Sequence, residues 1–123
     1  MILVDTSVWV DHLRSGDPDL AGRLETGEVL SHPFVIGELA LGNLAQRATV
    51  LEALRNLPQA TPASDDEVLG FIEAEALHGL GVGYVDAHLL ASARLTRDAR
   101  LWTRDRRLQE IAARLGVAWT HPA

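Results

Sequence analysis

Residues 1–9 read MILVDTSVW, and the order of side chains within them decides the fold class. Ile2-Leu3-Val4 is a continuous apolar run with two β-branched members, bounded by polar residues. A run this short and unbroken reads as a strand covered on both faces rather than as one face of a helix. It stops at Asp5, and Thr6 and Ser7 then offer hydroxyls that can cap a helix running through Val8, Trp9 and Leu13. A strand that passes straight into a helix is the first unit of an α/β fold. Whether the carboxylate at the junction is only a cap depends on what the rest of the chain sends to the same place.

The strand-then-helix pattern recurs. EVLSH (28–32), ARLWT (99–103) and VAWTH (117–121) are further strand candidates, and QATPA (59–63) is a brief extended stretch. GDPD (16–19) is a turn, and Leu20 to Glu25 suits a short helix closed by Gly27. Pro33 sits where a helix accepts proline, at its first position, ahead of FVIGELALGNL (34–44). ATVLEALRNL (48–57) is amphipathic and stopped by Pro58. Ser64 and Glu67 form a capping box for the helix that follows. Gly79, Gly81 and Gly83 make a flexible loop before a helix marked by Val85, Leu89 and Leu90. DRRLQEIAARLG (105–116) is a last helix with Gly116 as its stop. The pattern predicts one domain over residues 1–123: a three-layer α/β/α fold around a parallel sheet of four to five short strands.

Composition narrows the function classes. The chain has 123 residues, 47% of them apolar and none of them cysteine, which removes disulfides, thiolate metal sites and a cysteine nucleophile together. No apolar run approaches the roughly 20 residues of a membrane span, and the start carries neither a basic n-region nor a cleavage site. A cytoplasmic protein is expected. The net charge of −6 is unevenly spread: residues 1–90 hold 14 acids and 4 arginines, residues 91–123 hold 3 acids and 7 arginines. An acidic body with a basic C-terminal quarter can meet phosphates at that end.

Four carboxylates stand out. In a sheet of this kind, ligand sites form beyond the carboxyl ends of the strands. Asp5 follows the first strand directly, and Asp105 follows ARLWT at the start of a helix. Asp86 lies in the first turn of the helix after the glycine loop, and Glu38 lies in the helix after EVLSH, among Ile36, Leu39 and Leu41. Each alone could be a cap or a partner of a helix dipole. Gathered on one rim they would repel one another unless a cation neutralised them. Oxygen-only ligands select a hard divalent ion, Mg²⁺ or Mn²⁺, and such clusters serve nucleases by activating water.

These residues lie in stretches with a familiar order. LVDTSVW with Asp5, PFVIGELALG with Glu38, GVGYVDAHLLASA with Asp86 and LWTRDRRL with Asp105 resemble the four acidic motifs of PIN-domain ribonucleases. More narrowly they are similar to the VapC toxins of bacterial type II toxin–antitoxin systems, over nearly the whole chain and in order. The resemblance implies a PIN-like fold and a Mg²⁺- or Mn²⁺-dependent endoribonuclease that cleaves structured RNA such as tRNA or rRNA. It makes Asp5 and Asp86 the main metal ligands, completed by Glu38 and Asp105. Thr6 and Thr103 match hydroxyls that hydrogen-bond the centre, with Thr6 expected to fix Asp5. It further implies a homodimer, a VapB-type antitoxin as partner, and operator DNA reached only through the antitoxin complex.

Arg104 and Arg106 flank Asp105 and are the candidates for contacting RNA. The GLGVG loop lacks the spacing of a dinucleotide or P-loop motif and is read as the segment presenting Asp86. The histidines at 12, 32, 78, 88 and 121 show no metal-ligand spacing, and His88, two residues from Asp86, faces elsewhere on its helix. Ser7 and the other serines lie outside any nucleophile elbow. Trp9, Trp102 and Trp119 read as core or dimer-surface residues. The competing reading is a dimeric component of an antitoxin complex that represses transcription with little nuclease activity of its own. A phosphatase or receiver-type domain fits less well, since the DxDxT signature and a late lysine are missing.

Overall fold

The computed structural model describes residues 1–122. Its centre is a parallel sheet of three short strands in the order β2-β1-β3. These are β1 (Ile2–Val4), β2 (Val29–Leu30) and β3 (Arg100–Trp102). Ile2 lies opposite both Val29 and Arg100, and Val4 lies opposite Trp102. Successive strand side chains point to opposite faces, yet all three residues of β1 are buried. Helices therefore cover the sheet on both sides, as the unbroken apolar run requires.

Those helices are α1 (Thr6–Ser15), α2 (Pro18–Glu25), α3 (Pro33–Leu41), α4 (Arg47–Asn56), α5 (Asp65–Ala74), α6 (Tyr84–Leu95) and α7 (Arg106–Arg114). Their starts follow local chemistry. Asp17 caps α2 by accepting from the N–H groups of Asp19 and Leu20, so GDPD is a cap as much as a turn. The Ser64–Glu67 box opens α5, and Pro33 takes the first position of α3. Leu3, Val8, Leu20, Val35, Leu89, Leu90, Leu101 and Leu108 form the fully buried centre of the core. Trp9 and Trp102 are buried with them, whereas Trp119 is half-buried with its ring 4.4 Å from that of Trp102.

The sheet is narrower than the four to five strands expected. The flanking segments contribute one parallel bridge each, Ser31 with Gln59 and Leu101 with Ala118. Gln59 is bracketed by Pro58 and Pro62, which have no N–H to extend a ladder. Around Ala118 the pairing is limited to Leu101 N–H to Val117 O at 2.7 Å and Trp119 N–H to Leu101 O at 2.9 Å. Both edges keep the position of a strand without its length. Among the described residues, no helix is long and apolar enough to cross a membrane.

Candidate active site

The carboxyl ends of β1 and β3 are held in step one residue beyond the strands themselves. The Asp5 N–H donates to the Trp102 carbonyl at 2.9 Å, so the ladder continues into the residue that leaves β1. Asp5 occupies the N-cap position of α1, but its side chain caps nothing. Its Oδ2 instead accepts from the Ser7 hydroxyl and from the Thr103 hydroxyl, each at 2.8 Å. The residue is 6% exposed, deep enough that these two bonds fix the direction of the carboxylate.

Thr103 does double service. Its oxygen also accepts the Asp105 N–H at 3.0 Å, which places Asp105 beside Asp5 at the mouth of the sheet. Asp105 caps α7 through a 3.0 Å bond from the Leu108 N–H to its Oδ1. Here the cap and the site position coincide. Glu38, four residues into α3 from Phe34, accepts from the Thr6 hydroxyl at 2.7 Å. Thr6 therefore holds Glu38 rather than Asp5, and the hydroxyl that holds Asp5 from its own helix is Ser7. Ser7 is the residue that sequence reading left out. Its signal was its place two residues after an aspartate at a strand end, where a short hydroxyl side chain can fold back onto the carboxylate. Its oxygen also accepts the Arg104 N–H at 3.0 Å.

Asp86 arrives from the glycine loop. Gly81 sits at φ +82°, a left-handed conformation that favours glycine, and a Cβ there would run into the Arg107 guanidinium. The loop ends with the Gly83 N–H donating to Asp86 Oδ2 at 3.1 Å, which turns the carboxylate back over the start of α6. Burial pushes the Asp86 carboxyl above the usual aspartate range. The Gly83 bond opposes this, and the charges of Asp5, Asp105 and Glu38 add to it. The four acids from four segments thus share one electrostatic environment. Among the described residues none of the four has an ion-pair partner, while Arg104, the neighbour of Asp105, pairs with Asp11 at 2.8 Å and Asp17 at 2.6 Å.

The donor set suits a hard divalent cation: carboxylate oxygens only, with no ion-pair partner among the described residues, and with the Ser7 and Thr103 hydroxyls aiming one of them. Among the described residues no three acidic or histidine side chains are already drawn tightly enough to grip an ion as they stand. Like charges keep such groups apart until a cation is supplied.

The other candidates fall outside this cluster. Arg104 faces α1 and the cap of α2. Arg106 is 92% exposed and lies 3.7 Å from Glu110 on its own helix. His88 is buried, and its Nε2 meets Asp65 Oδ1 at 3.1 Å rather than any of the four acids.

Two comparisons with known proteins bear on this site. The PIN domain family profile matches residues 2–114. Ribonuclease VapC32 from Mycobacterium tuberculosis, strain H37Rv, is 52% identical over 118 residues, covering 96% of this chain and 95% of that protein. The same-named protein of strain CDC 1551 / Oshkosh matches equally well.

Proposed function

Because the chain belongs to the PIN-domain family, in its VapC branch, we propose that it is an endoribonuclease, the toxin of a VapBC-type pair, using Mg²⁺ or Mn²⁺ to cleave structured RNA such as tRNA or rRNA. The observation that carries this reading is that Asp5, Glu38, Asp86 and Asp105 come from four segments with no ion-pair partner among the described residues, and that burial and the other three charges raise the Asp86 carboxyl. A protein gains nothing in stability from four mutually repelling acids with no cation among them, so their convergence favours a role in binding one.

Asp5 and Asp86 are the principal ligands in this proposal, with Glu38 and Asp105 completing the set. The chemistry that a bound Mg²⁺ or Mn²⁺ supplies is neutralisation of the carboxylates, activation of a water, and charge stabilisation at the leaving oxygen. The chain's own residues do the rest. Ser7 and Thr103 hold Asp5 in one orientation, Thr6 holds Glu38, and the Gly83 N–H holds Asp86, so each carboxylate is oriented before a cation draws the set together. Arg106, exposed beside the site, is the arginine proposed to meet an RNA phosphate. Arg104 is already engaged by two carboxylates, which narrows that role to Arg106.

The partner proposed is a VapB-type antitoxin, with operator DNA engaged only through that complex and the toxin itself a homodimer. A groove of about 380 Å³ beside Glu38, lined by Val10, Leu13, Leu39 and Leu44, offers an apolar seat next to the acids for a partner helix. A repressor component with little nuclease activity would not require the uncompensated acids.

The test is cleavage of total tRNA and rRNA by the purified protein. Activity should require Mg²⁺ or Mn²⁺, vanish with EDTA, and fall in Asp5→Asn by more than the roughly 10–100-fold that loss of a supporting hydrogen bond costs. Circular dichroism should show an unchanged fold. Asp5→Asn cutting as fast as wild type would falsify the mechanism.

A further inference from the structure

Two aromatic rings stand exposed on the helices that carry Glu38 and Asp86, and neither is used by the chemistry above. Phe34 is 37% exposed and Tyr84 44% exposed. Phe34 lies one helical turn before Glu38 on the same face of α3, and Tyr84, two residues before Asp86 on α6, turns away from that acid towards His88. Both rest on one buried support. The His88 ring, 3% exposed, lies 4.4 Å from that of Phe34 and 4.7 Å from that of Tyr84. His88 is itself tied at 3.1 Å to Asp65 Oδ1, which also accepts from the Tyr84 hydroxyl at 2.8 Å.

Singly exposed apolar side chains are ordinary, and these two are distinguished by being held from below. Here two exposed rings are pinned by a buried histidine and a carboxylate, and Phe34 stands one helical turn from Glu38. Rigid exposed rings next to a phosphodiester site are what base stacking needs, because every base has a π-face and an immobilised platform costs little further entropy. The second oxygen of Asp65 has no partner among the described residues, and the side chain is 76% exposed. It can accept from an amino or ring N–H at a base edge.

We propose that Phe34 and Tyr84, supported by His88 and Asp65, form a subsite that stacks a single unpaired nucleobase adjacent to the scissile phosphate. The inference rests on the ribonuclease reading above and adds a base-binding element to it. The acids set where the chain is cut. The aromatic platform favours RNA whose base next to that phosphate can leave its stack, so it selects single-stranded loops within structured RNA.

The experiment uses the intact protein and a short single-stranded RNA that wild type cleaves, with a series in which each base in turn is replaced by an abasic ribose. For wild type, one abasic position beside the cut should raise KM by roughly 5- to 100-fold, the range of a lost stacked base, with a much smaller change in kcat. Phe34→Leu combined with Tyr84→Leu should raise KM for the intact RNA by a similar factor and become insensitive to that same abasic position. Tyr84→Phe, which keeps the ring but loses its tie to Asp65, should retain the sensitivity to that abasic position, with a smaller rise in KM than the double variant. Circular dichroism and thermal melting identify a double variant that fails to fold, in which case Phe34→Leu alone carries the same abasic comparison. An unchanged KM in the folded variant overturns the proposal, as does an abasic penalty that simply adds to the variant's own. An aromatic pair serving a protein partner would give those same two results. A wild-type protein that cleaves no RNA would instead refute the ribonuclease reading, so the two failures are distinguishable.

Discussion

Asp17 and Asp86 are both aspartates at the starts of helices, and their carboxyls are displaced in opposite directions. At Asp17 burial pushes upward, but the N–H groups of Leu20 and Asp19 and the Arg104 guanidinium outweigh it and hold the carboxyl below its ordinary range. At Asp86 burial pushes upward, a single N–H from Gly83 opposes it, and three more carboxylates reinforce it. Asp17 belongs to a corner where acids have cations: Arg104 spans Asp11 and Asp17, and Arg23 spans Asp19 and Glu28. Asp86 belongs to a rim where the acids have hydroxyl or backbone N–H partners and, among the described residues, no ion-pair partner. Aspartates at helix starts are paired with cations in one region and left without them in the other, and the difference lies in what surrounds them.

The contrast breaks or holds on one substitution made twice. Asp86→Asn should lower RNA cleavage by more than about 100-fold and, by removing one of four like charges, raise the melting temperature of the metal-free protein. Asp17→Asn keeps the cap but loses the charge opposite Arg104. It should leave cleavage within a few-fold of wild type and lower stability by about 1 kcal/mol. The pH dependences have opposite signs too. The raised Asp86 carboxyl works against folding once pH rises through its folded range, whereas the lowered Asp17 carboxyl contributes stability at neutral pH that is lost as pH falls through its range. Mg²⁺ should raise the wild-type melting temperature and raise that of Asp86→Asn less. Thermal scans with and without Mg²⁺ read all of this. If both variants moved melting the same way, the distinction between the two regions would fall.

A buried base extends the comparison. His32 is 1% exposed, its Nδ1 accepts the Phe34 N–H at 3.0 Å, and its Nε2 lies 3.0 Å from the Ser92 hydroxyl. The first bond requires the proton on Nε2, so the neutral ring is fully paired and a second proton would break the cap of α3. Burial, with His88 across from it, brings its pKa down to about 4 from 6.5. The unfolded chain therefore takes up a proton before the folded one does, and stability falls as pH drops from about 6.5 towards 4, by up to about 3 kcal/mol. Urea denaturation at pH 7.5 and pH 4.5 measures this, and His32→Gln should remove most of the difference. An equal acid loss in that variant would place the sensitivity elsewhere.

How much of this was legible depended on whether a residue's role is local. β1, Pro33 at the head of α3, the Ser64–Glu67 box and the Gly79–Gly83 loop are written in neighbouring residues and read directly. The order of strands and helices then put four acids at one edge. The outer strands were overcounted because apolar content marks a segment as sheet-adjacent without saying how many N–H groups find partners there, and Pro58 and Pro62 limited one of them. The hydroxyl assignments were less accessible. Thr6 and Ser7 are adjacent, and the turn of α1 that sends one to Glu38 and the other to Asp5 is set by packing of α1 on α3. The pairing of Arg104 with Asp11 and Asp17 spans about 90 residues of chain and left no local mark.

The smallest expected effects separate the two arginines that sequence alone could not tell apart. Arg104 joins the link between β3 and α7 to α1 and α2, but its guanidinium is partly exposed, so Arg104→Ala should cost no more than about 1 kcal/mol and leave the KM for RNA within about twofold. Arg106 is nearly free of the surface and holds Glu110 only loosely, so Arg106→Ala should leave the melting temperature where it is. If Arg106 meets a phosphate, its loss weakens RNA binding uniformly across sequences, and the plot of log affinity against log salt becomes shallower by about 0.7 to 0.9. Affinity titrations at 50–300 mM KCl, in Ca²⁺ to slow cleavage, resolve a change of that size. A shallower slope in Arg104→Ala with none in Arg106→Ala would reverse the assignment. It would mean that RNA draws Arg104 away from Asp11 and Asp17, joining the structural corner to the proposed catalytic rim.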